Sequence, residues 1–291
     1  SRAPSRRWRR RPWIEMAGEA GLRAGCLRAI VEAMRPIVLL TDFGTTEHYV
    51  GVLHAVLVRG APGAERIDLG HDVPPGDIWA ACFLLRCAWP HLPEDAVVLA
   101  VVDPGVGGSR RPLAVRIGRR WLVAPDNGLA DAATPADRVV QLDWRRMGVP
   151  EPSRTFHGRD LFAPAAARLA TGVDPTNLGP EAGSTEAVPC PLPQPTGMPG
   201  GWRATILHVD HFGNLITNLA SDLATPTAMA RLGPGQMASR VSTYGEMTGG
   251  EVALLTGSSG LLELAVDGGS AAYRTGLRRG YTVEILSADS C

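Results

Sequence analysis

Three Asp-centred clusters stand where apolar runs end: Asp42-Phe43-Gly44-Thr45, Asp103-Pro104-Gly105-Val106-Gly107 and Asp126-Asn127-Gly128. One Asp after a strand commonly forms a turn or caps a helix. Three in one region indicate a shared pocket beyond the strand ends, where open α/β sheets bind ligands. Asp103 is the sharpest candidate, because Pro104 keeps it extended and the following glycines leave the backbone open to a ligand. Arg110 lies seven residues on and can swing back onto Asp103, either for chemistry or as a surface ion pair. His157, in Thr155-Phe156-His157-Gly158-Arg159-Asp160, precedes a helical stretch and reads as a hydrogen-bonded structural residue or a proton acceptor.

A second group lies far along the chain. In Asp210-His211-Phe212-Gly213-Asn214, an aromatic ring flanked by Asp and Asn suits a flat heterocycle, and a simple hairpin turn is the plainer reading. Gly257-Ser258-Ser259-Gly260 is either an ordinary turn or a nest of backbone donors for a carboxylate. Metal binding is the rival use of His71-Asp72 and of His208-Val209-Asp210-His211, but neither HExxH nor Cys/His ligand spacing is present, so no metal is expected.

The elements that must position these residues alternate. Ile37–Thr41 reads as a strand, Glu47–Arg59 as a helix, Arg66–Leu69 as a strand, and Asp77 caps a helix running to Trp89. Ala96–Val102 is apolar throughout, as a covered parallel strand should be. Leu113–Ile117, Trp121–Val123 and Arg138–Leu142 supply further strands, and Arg159–Ala170 a helix. This predicts an α/β, Rossmann-like domain over 35–172. A proline-rich linker follows over 173–200. Short strand-like runs separated by Gly turns (Thr205–Val209, Asn214–Thr217, Val252–Leu255, Leu261–Val266, Thr282–Leu286) then predict a smaller all-β barrel over 201–291.

Composition narrows the chemistry. All 29 basic residues are Arg, which removes Schiff-base chemistry and Walker-type phosphate loops, both of which need a lysine amine. The 29 acids balance them, so nucleic acid is not the expected partner. Residues 1–34 hold eight Arg against three Glu and read as a dispensable, disordered arm on a mildly acidic body. No apolar run is long enough for a membrane helix. The five cysteines lack a CxxC, Cys82 and Cys87 in an apolar helical stretch read as buried free thiols, and a reducing cytoplasm is expected.

Six ordered blocks together resemble the SAM hydroxide adenosyltransferases, the adenosine-forming S-adenosyl-L-methionine (SAM) hydrolases related to SAM-dependent fluorinases and chlorinases. They are TDFGT (41–45), VVDPGVGGSRR (101–111), APDNGL (124–129), TFHGRDLFAPAA (155–166), DHFGNLITN (210–218) and GSSGLLELAV (257–266). The resemblance implies an N-terminal α/β domain, a C-terminal β-barrel, and a homotrimer binding SAM between subunits without a cofactor. It implies a water-positioning trio on Asp103, Arg110 and His157, and Asp42 on the ribose hydroxyls. By the same carry-over Phe212 and Asn214 face adenine, and Asp210, Ser258 and Ser259 face the methionine end. Glu263 belongs to the last block and lies on a strand, so it either joins the site or points to solvent.

The halogenating relatives carry Tyr in place of Asp103, Ser in place of Gly158, and an insertion that the short Ile117–Ala124 span leaves no room for. All three departures favour water over halide. Asp267 stands where the family pattern expects Asn. The implied reaction is chemically economical: the sulfonium leaves C5′ as a neutral thioether, so the task is to align a weak nucleophile opposite the leaving sulfur. A carboxylate paired with a guanidinium is a poor base, which makes the trio an orienter of water or hydroxide, with His157 the other candidate acceptor. A halogenase of the same fold and a non-catalytic SAM or adenosine binder are the alternatives.

Overall fold

The computed structural model describes residues 34–133, 135–183, 187–247 and 249–287. The arginine-rich arm to residue 33, with Cys26, and the terminal Cys291 lie outside the described residues. The first half contains β1 (Ile37–Thr41), α1 (Tyr49–Gly60), β2 (Arg66–Gly70), α2 (Ile78–Ala88), β3 (Val97–Val101), β4 (Pro112–Ile117), β5 (Arg120–Pro125), β6 (Arg138–Gln141), α3 (Trp144–Met147) and α4 (Ala163–Ala170). The strands form one sheet in the order β2-β1-β3-β5-β4-β6. β1, β2, β3 and β5 run parallel, and β4 is antiparallel to both neighbours.

β1 and β3 are buried at every position because both faces of the sheet are covered. Ile37, Leu39, Val97 and Leu99 pack with Leu53 and Leu57 of α1 and the alanine face of α4. Val38, Leu40, Val98 and Ala100 pack with Ala81, Phe83 and Leu85 of α2 on the other side. Asp77 caps α2 by accepting from Ala80 N at 3.0 Å, as its position predicts. Two expected helices differ in detail. α1 begins at Tyr49 and not Glu47. The run expected as one helix from Arg159 opens instead with a wide π turn over Gly158–Phe162 before α4. Pro164 has no N–H to hold the carbonyl four residues back, which leaves this turn free to widen.

The second half is antiparallel: β7 (Thr196–Met198), β8 (Gly201–Val209), β9 (Leu215–Ala220), β10 (Met229–Gly233), β11 (Gln236–Ala238), β12 (Val252–Thr256), β13 (Leu261–Val266), α5 (Ala271–Thr275) and β14 (Thr282–Leu286). Its order is β11-β10-β14-β8-β9-β13-β12, with β7 added on β8. After β11 the chain continues onto β12, where Leu254 N donates to Ser239 O and Val241 N to Leu254 O, both at 2.9 Å. The sheet thus nearly closes into a barrel around Ala204, Ile206, Leu215, Leu262, Leu264, Val283 and Ile285. Strands β7, β10 and β11 and helices α3 and α5 are additional to the elements the sequence pattern predicts. The two halves touch where Trp79 Nε1 donates to Leu207 O at 2.8 Å and Phe83 stacks on His208 at 4.8 Å. Cys82, Cys87 and Cys190 are free thiols. Among the described residues, no helix is long and apolar enough to cross a membrane.

Candidate active site

The carboxyl ends of β1, β2 and β3 carry three loops that converge. Asp42 follows β1, and its Oδ2 accepts from Gly76 N at 2.8 Å. Gly76 has φ +72° and lies against Pro104, the residue after Asp103. Burial raises the Asp42 pKa above the usual carboxylate value; the Gly76 N–H opposes the rise and the nearby Asp103 charge adds to it. Asp42 and Asp103 therefore share one electrostatic environment, as their strand-end positions suggest.

Arg110 folds back on Asp103. Its Nε donates to both Asp103 oxygens at 3.0 Å, and its Nη2 also donates to Oδ2. Both side chains are nearly buried, at 10% and 6% exposure, so the surface ion-pair reading is set aside. The same Nη2 lies 2.8 Å from His157 Nδ1. A guanidinium has only donors, so Nδ1 accepts and the ring proton resides on Nε2. The Phe162 ring beneath the guanidinium, 5.3 Å from its carbon, supports it from the other face. Burial, and then the Arg110 charge, push the His157 pKa below the usual histidine value. The imidazole is thus held neutral.

The backbone around this trio is constrained. Gly107 adopts φ +76°, and a Cβ there would lie 2.3 Å from Arg154 O. That close approach ties the loop after Asp103 to the segment leading into His157. At Gly158 a Cβ would come within 3.1 Å of Phe43 and 3.3 Å of Phe156, two rings packed edge to face at 5.6 Å. Arg110 and His157 line a cavity of about 420 Å³ with Trp144, Leu161 and Pro112.

The second group gathers at the barrel. Asp210 Oδ1 accepts from Phe212 N at 2.9 Å and Asn214 N at 2.8 Å, while Asn214 Nδ2 donates to Oδ2 at 3.0 Å. This is indeed a tight turn, and it leaves Phe212 projecting at 73% exposure. Phe212, Asn214, Tyr244 and Asp267 line a hollow of about 560 Å³. Glu263 points inward, not to solvent, at 5% exposure. It accepts from Tyr244 Oη, which also lies 3.5 Å from Asn214 Nδ2. Burial raises the Glu263 pKa, the Tyr244 hydroxyl opposes this, and the Asp210 charge adds to it. Burial and then Glu263 push the Tyr244 phenol up to about 12.

Ser258 and Ser259 occupy the exposed β12–β13 turn, where Gly260 N donates to Gly257 O at 3.0 Å. Ser259 lines a different cavity with Cys87, Arg86 and Asn218. Asp126 does not join the strand-end pocket. It is buried at 6%, accepts from Arg111 Nε at 2.7 Å, and takes Val188 N at 2.8 Å, so it anchors a neighbouring segment.

These positions coincide with two family models. Residues 37–179 match the SAM hydroxide adenosyltransferase N-terminal domain, and residues 204–284 match its C-terminal domain. The chain belongs to the SAM hydroxide adenosyltransferase family. A relative, the (R)-S-adenosyl-L-methionine hydrolase of Thermus thermophilus, is 43% identical over 87% of the chain and all of its own length. That of Salinispora tropica is 41% identical over 86% of the chain and 97% of its own length. A fluorinase of an Actinoplanes species is 24% identical over 87% and 97%. The crystal structure of a conserved protein from Thermotoga maritima superposes with a TM-score of 0.78 at 32% identity, covering 86% of this chain and 99% of its own.

The sequence pattern gave no sign of the Tyr244–Glu263 contact. Tyr244 belongs to no periodic run: a short 3₁₀ turn over Tyr244–Glu246 carries it across the barrel to Glu263, nineteen residues away. A lone aromatic between polar and glycine residues was its only sequence signal.

Proposed function

We propose that this chain hydrolyses S-adenosyl-L-methionine to adenosine and L-methionine. The observation that carries the reading is the Asp103–Arg110–His157 constellation, whose ion pair is nearly buried and which holds no conventional strong base. Both Asp103 oxygens are engaged by the guanidinium, and His157 Nδ1 is occupied by Arg110. Such a group suits positioning: the remaining lone pairs of Asp103 accept from a water or hydroxide, and the His157 Nε2–H donates to it. The C5′–sulfur bond breaks as the C5′–oxygen bond forms, methionine departs as a neutral thioether, and the water proton passes to solvent. A desolvated site favours the step if hydroxide attacks, because its charge and that of the sulfonium cancel. The reaction so written needs no metal and no cofactor.

In this reading Asp42 binds the ribose hydroxyls. Phe212 and Asn214 hold adenine, and Asp210, Ser258, Ser259 and Glu263 serve the methionine side or support it. Arg110 and His157 of the trio line one cavity of the chain, and the Phe212 group lines another. A homotrimer, with each substrate held between two copies, accounts for that division. We assign 35–172 and 201–291 as its two domains, 173–200 as the linker and 1–34 as the N-terminal extension, of which 1–33 are dispensable. A reducing cytoplasm suits the free thiols.

The test is incubation with SAM and chromatography of the products. Equimolar adenosine and methionine, unchanged by chloride, are expected. Intact SAM after prolonged incubation, or a chloride-dependent 5′-halo product, would overturn the reading.

A further inference from the structure

Away from the trio, α1, β2 and the loop after β2 bring His54, Asp68 and His71 together, with one ligand atom of each within 4.8 Å of the others. The sequence pairs His71 with Asp72; the fold pairs it instead with Asp68 and with a histidine from α1. His54 Nε2 lies 3.0 and 3.2 Å from the two Asp68 oxygens, and His71 Nε2 lies 3.0 Å from Oδ1. Despite that distance, His71 Nε2 has no hydrogen-bond partner, although His71 is 95% buried. The carboxylate oxygen is close but off the ring nitrogen's axis. That is the arrangement expected when two donors sit side by side on a common ion, since ligand atoms about 2.0–2.2 Å from a metal are about 3 Å apart.

The remainder of the environment fits. His71 Nδ1 is engaged at 2.8 Å by the buried Thr41 hydroxyl, the outer contact that fixes the orientation of a ligating imidazole. Asp68 is 47% exposed and His54 27%, so the cluster opens to solvent and leaves room for water ligands. Two imidazoles and one carboxylate favour a first-row transition ion over Mg²⁺ or Ca²⁺, which prefer all-oxygen sets.

The geometry points to a divalent transition-metal site at His54, Asp68 and His71, of the zinc, cobalt or nickel class. It is separate from the proposed chemistry and supplies no step in it. Its connection is mechanical: Thr41 immediately precedes Asp42, and Gly44 N donates to His71 O at 2.8 Å. A bound ion would pin α1, β2 and the Asp42 loop to one another.

The experiment uses the full chain. Wild type, His54→Gln and Asp68→Asn are each equilibrated with Zn²⁺, dialysed, and assayed for metal content and melting temperature, with Mg²⁺ as the control cation. Wild type is expected to retain one more zinc per chain than either variant. Its melting temperature should rise with Zn²⁺ but not with Mg²⁺, and both variants should bind at least about tenfold more weakly. Co²⁺ substitution should give a visible absorption band in wild type that both variants lose. His54→Gln, on a partly exposed helix position, keeps the comparison decisive if Asp68→Asn folds poorly. Equal zinc content and equal cobalt spectra in wild type and His54→Gln would overturn the site.

Discussion

Arg110 Nη2 donates to His157 Nδ1 at 2.8 Å while the same guanidinium grips Asp103, so one arginine sets both the charge and the tautomer of the group. The ring must be neutral to accept that bond. Burial and the adjacent Arg110 charge both lower its pKa from 6.5. Activity should therefore stay level as pH falls through about 6.5 and drop only below it, as protonation breaks the Arg110 contact. A kcat–pH profile checks this. A loss already centred at or above 6.5 contradicts it.

Arg110→Lys should not rescue the site. A lysine amine is a point charge and cannot hold both Asp103 oxygens and the imidazole in one plane. We expect a loss of about a hundredfold or more in kcat with native circular dichroism. Asp103→Asn should fall in the same range, because it removes the acceptor and leaves Arg110 without its counter-charge.

At the barrel, Tyr244→Phe leaves the buried Glu263 carboxyl without its hydroxyl partner. The cost should be about 1–3 kcal/mol at neutral pH, read from urea unfolding. Its pH dependence has a definite sign. The folded pKa of Glu263 is already raised above 4.5 by burial, so the native state holds its proton longer than the unfolded chain. Its contribution to stability is fully present below pH 4.5 and is lost as pH rises through the folded value. Removing the phenol raises that value further, so the variant's deficit should widen between acid and neutral pH. An equal deficit at both pH values would contradict the pairing.

Gly107→Ala should be disruptive out of proportion to one methyl group. The position combines φ +76° with a carbonyl oxygen 2.3 Å from the new Cβ. A loss of about 1–3 kcal/mol in stability is expected, with a lower kcat because the Asp103 loop shifts. Gly118→Ala, also at positive φ but with nothing nearby, separates local strain from the clash.

Much of this was legible in the chain because the signals were local. β1 and β3 are buried, largely apolar runs with an Asp just beyond each, and the hairpin strand Leu261–Val266 carries its own Gly turn. Asp103 and Arg110 are close enough in sequence for their pairing to be anticipated. β10 and β11 were not legible: Met229–Gly233 and Gln236–Ala238 are short, are broken by the Pro234-Gly235 turn, and gain strand character only by pairing with β14 and with each other. The inward aim of Glu263 was equally hidden, since alternation along β13 breaks down where both faces are covered. The His54–Asp68–His71 cluster spans a helix, a strand and a loop, and only the fold brings its members together.

In the proposed reaction an oriented water or hydroxide attacks C5′ of the substrate. Turnover of S-adenosyl-L-methionine in ¹⁸O-water, followed by mass spectrometry of the nucleoside, decides whether it does. One ¹⁸O in the 5′-hydroxyl of adenosine is the predicted result. Adenosine formed without the label, or label found only in methionine, would contradict it.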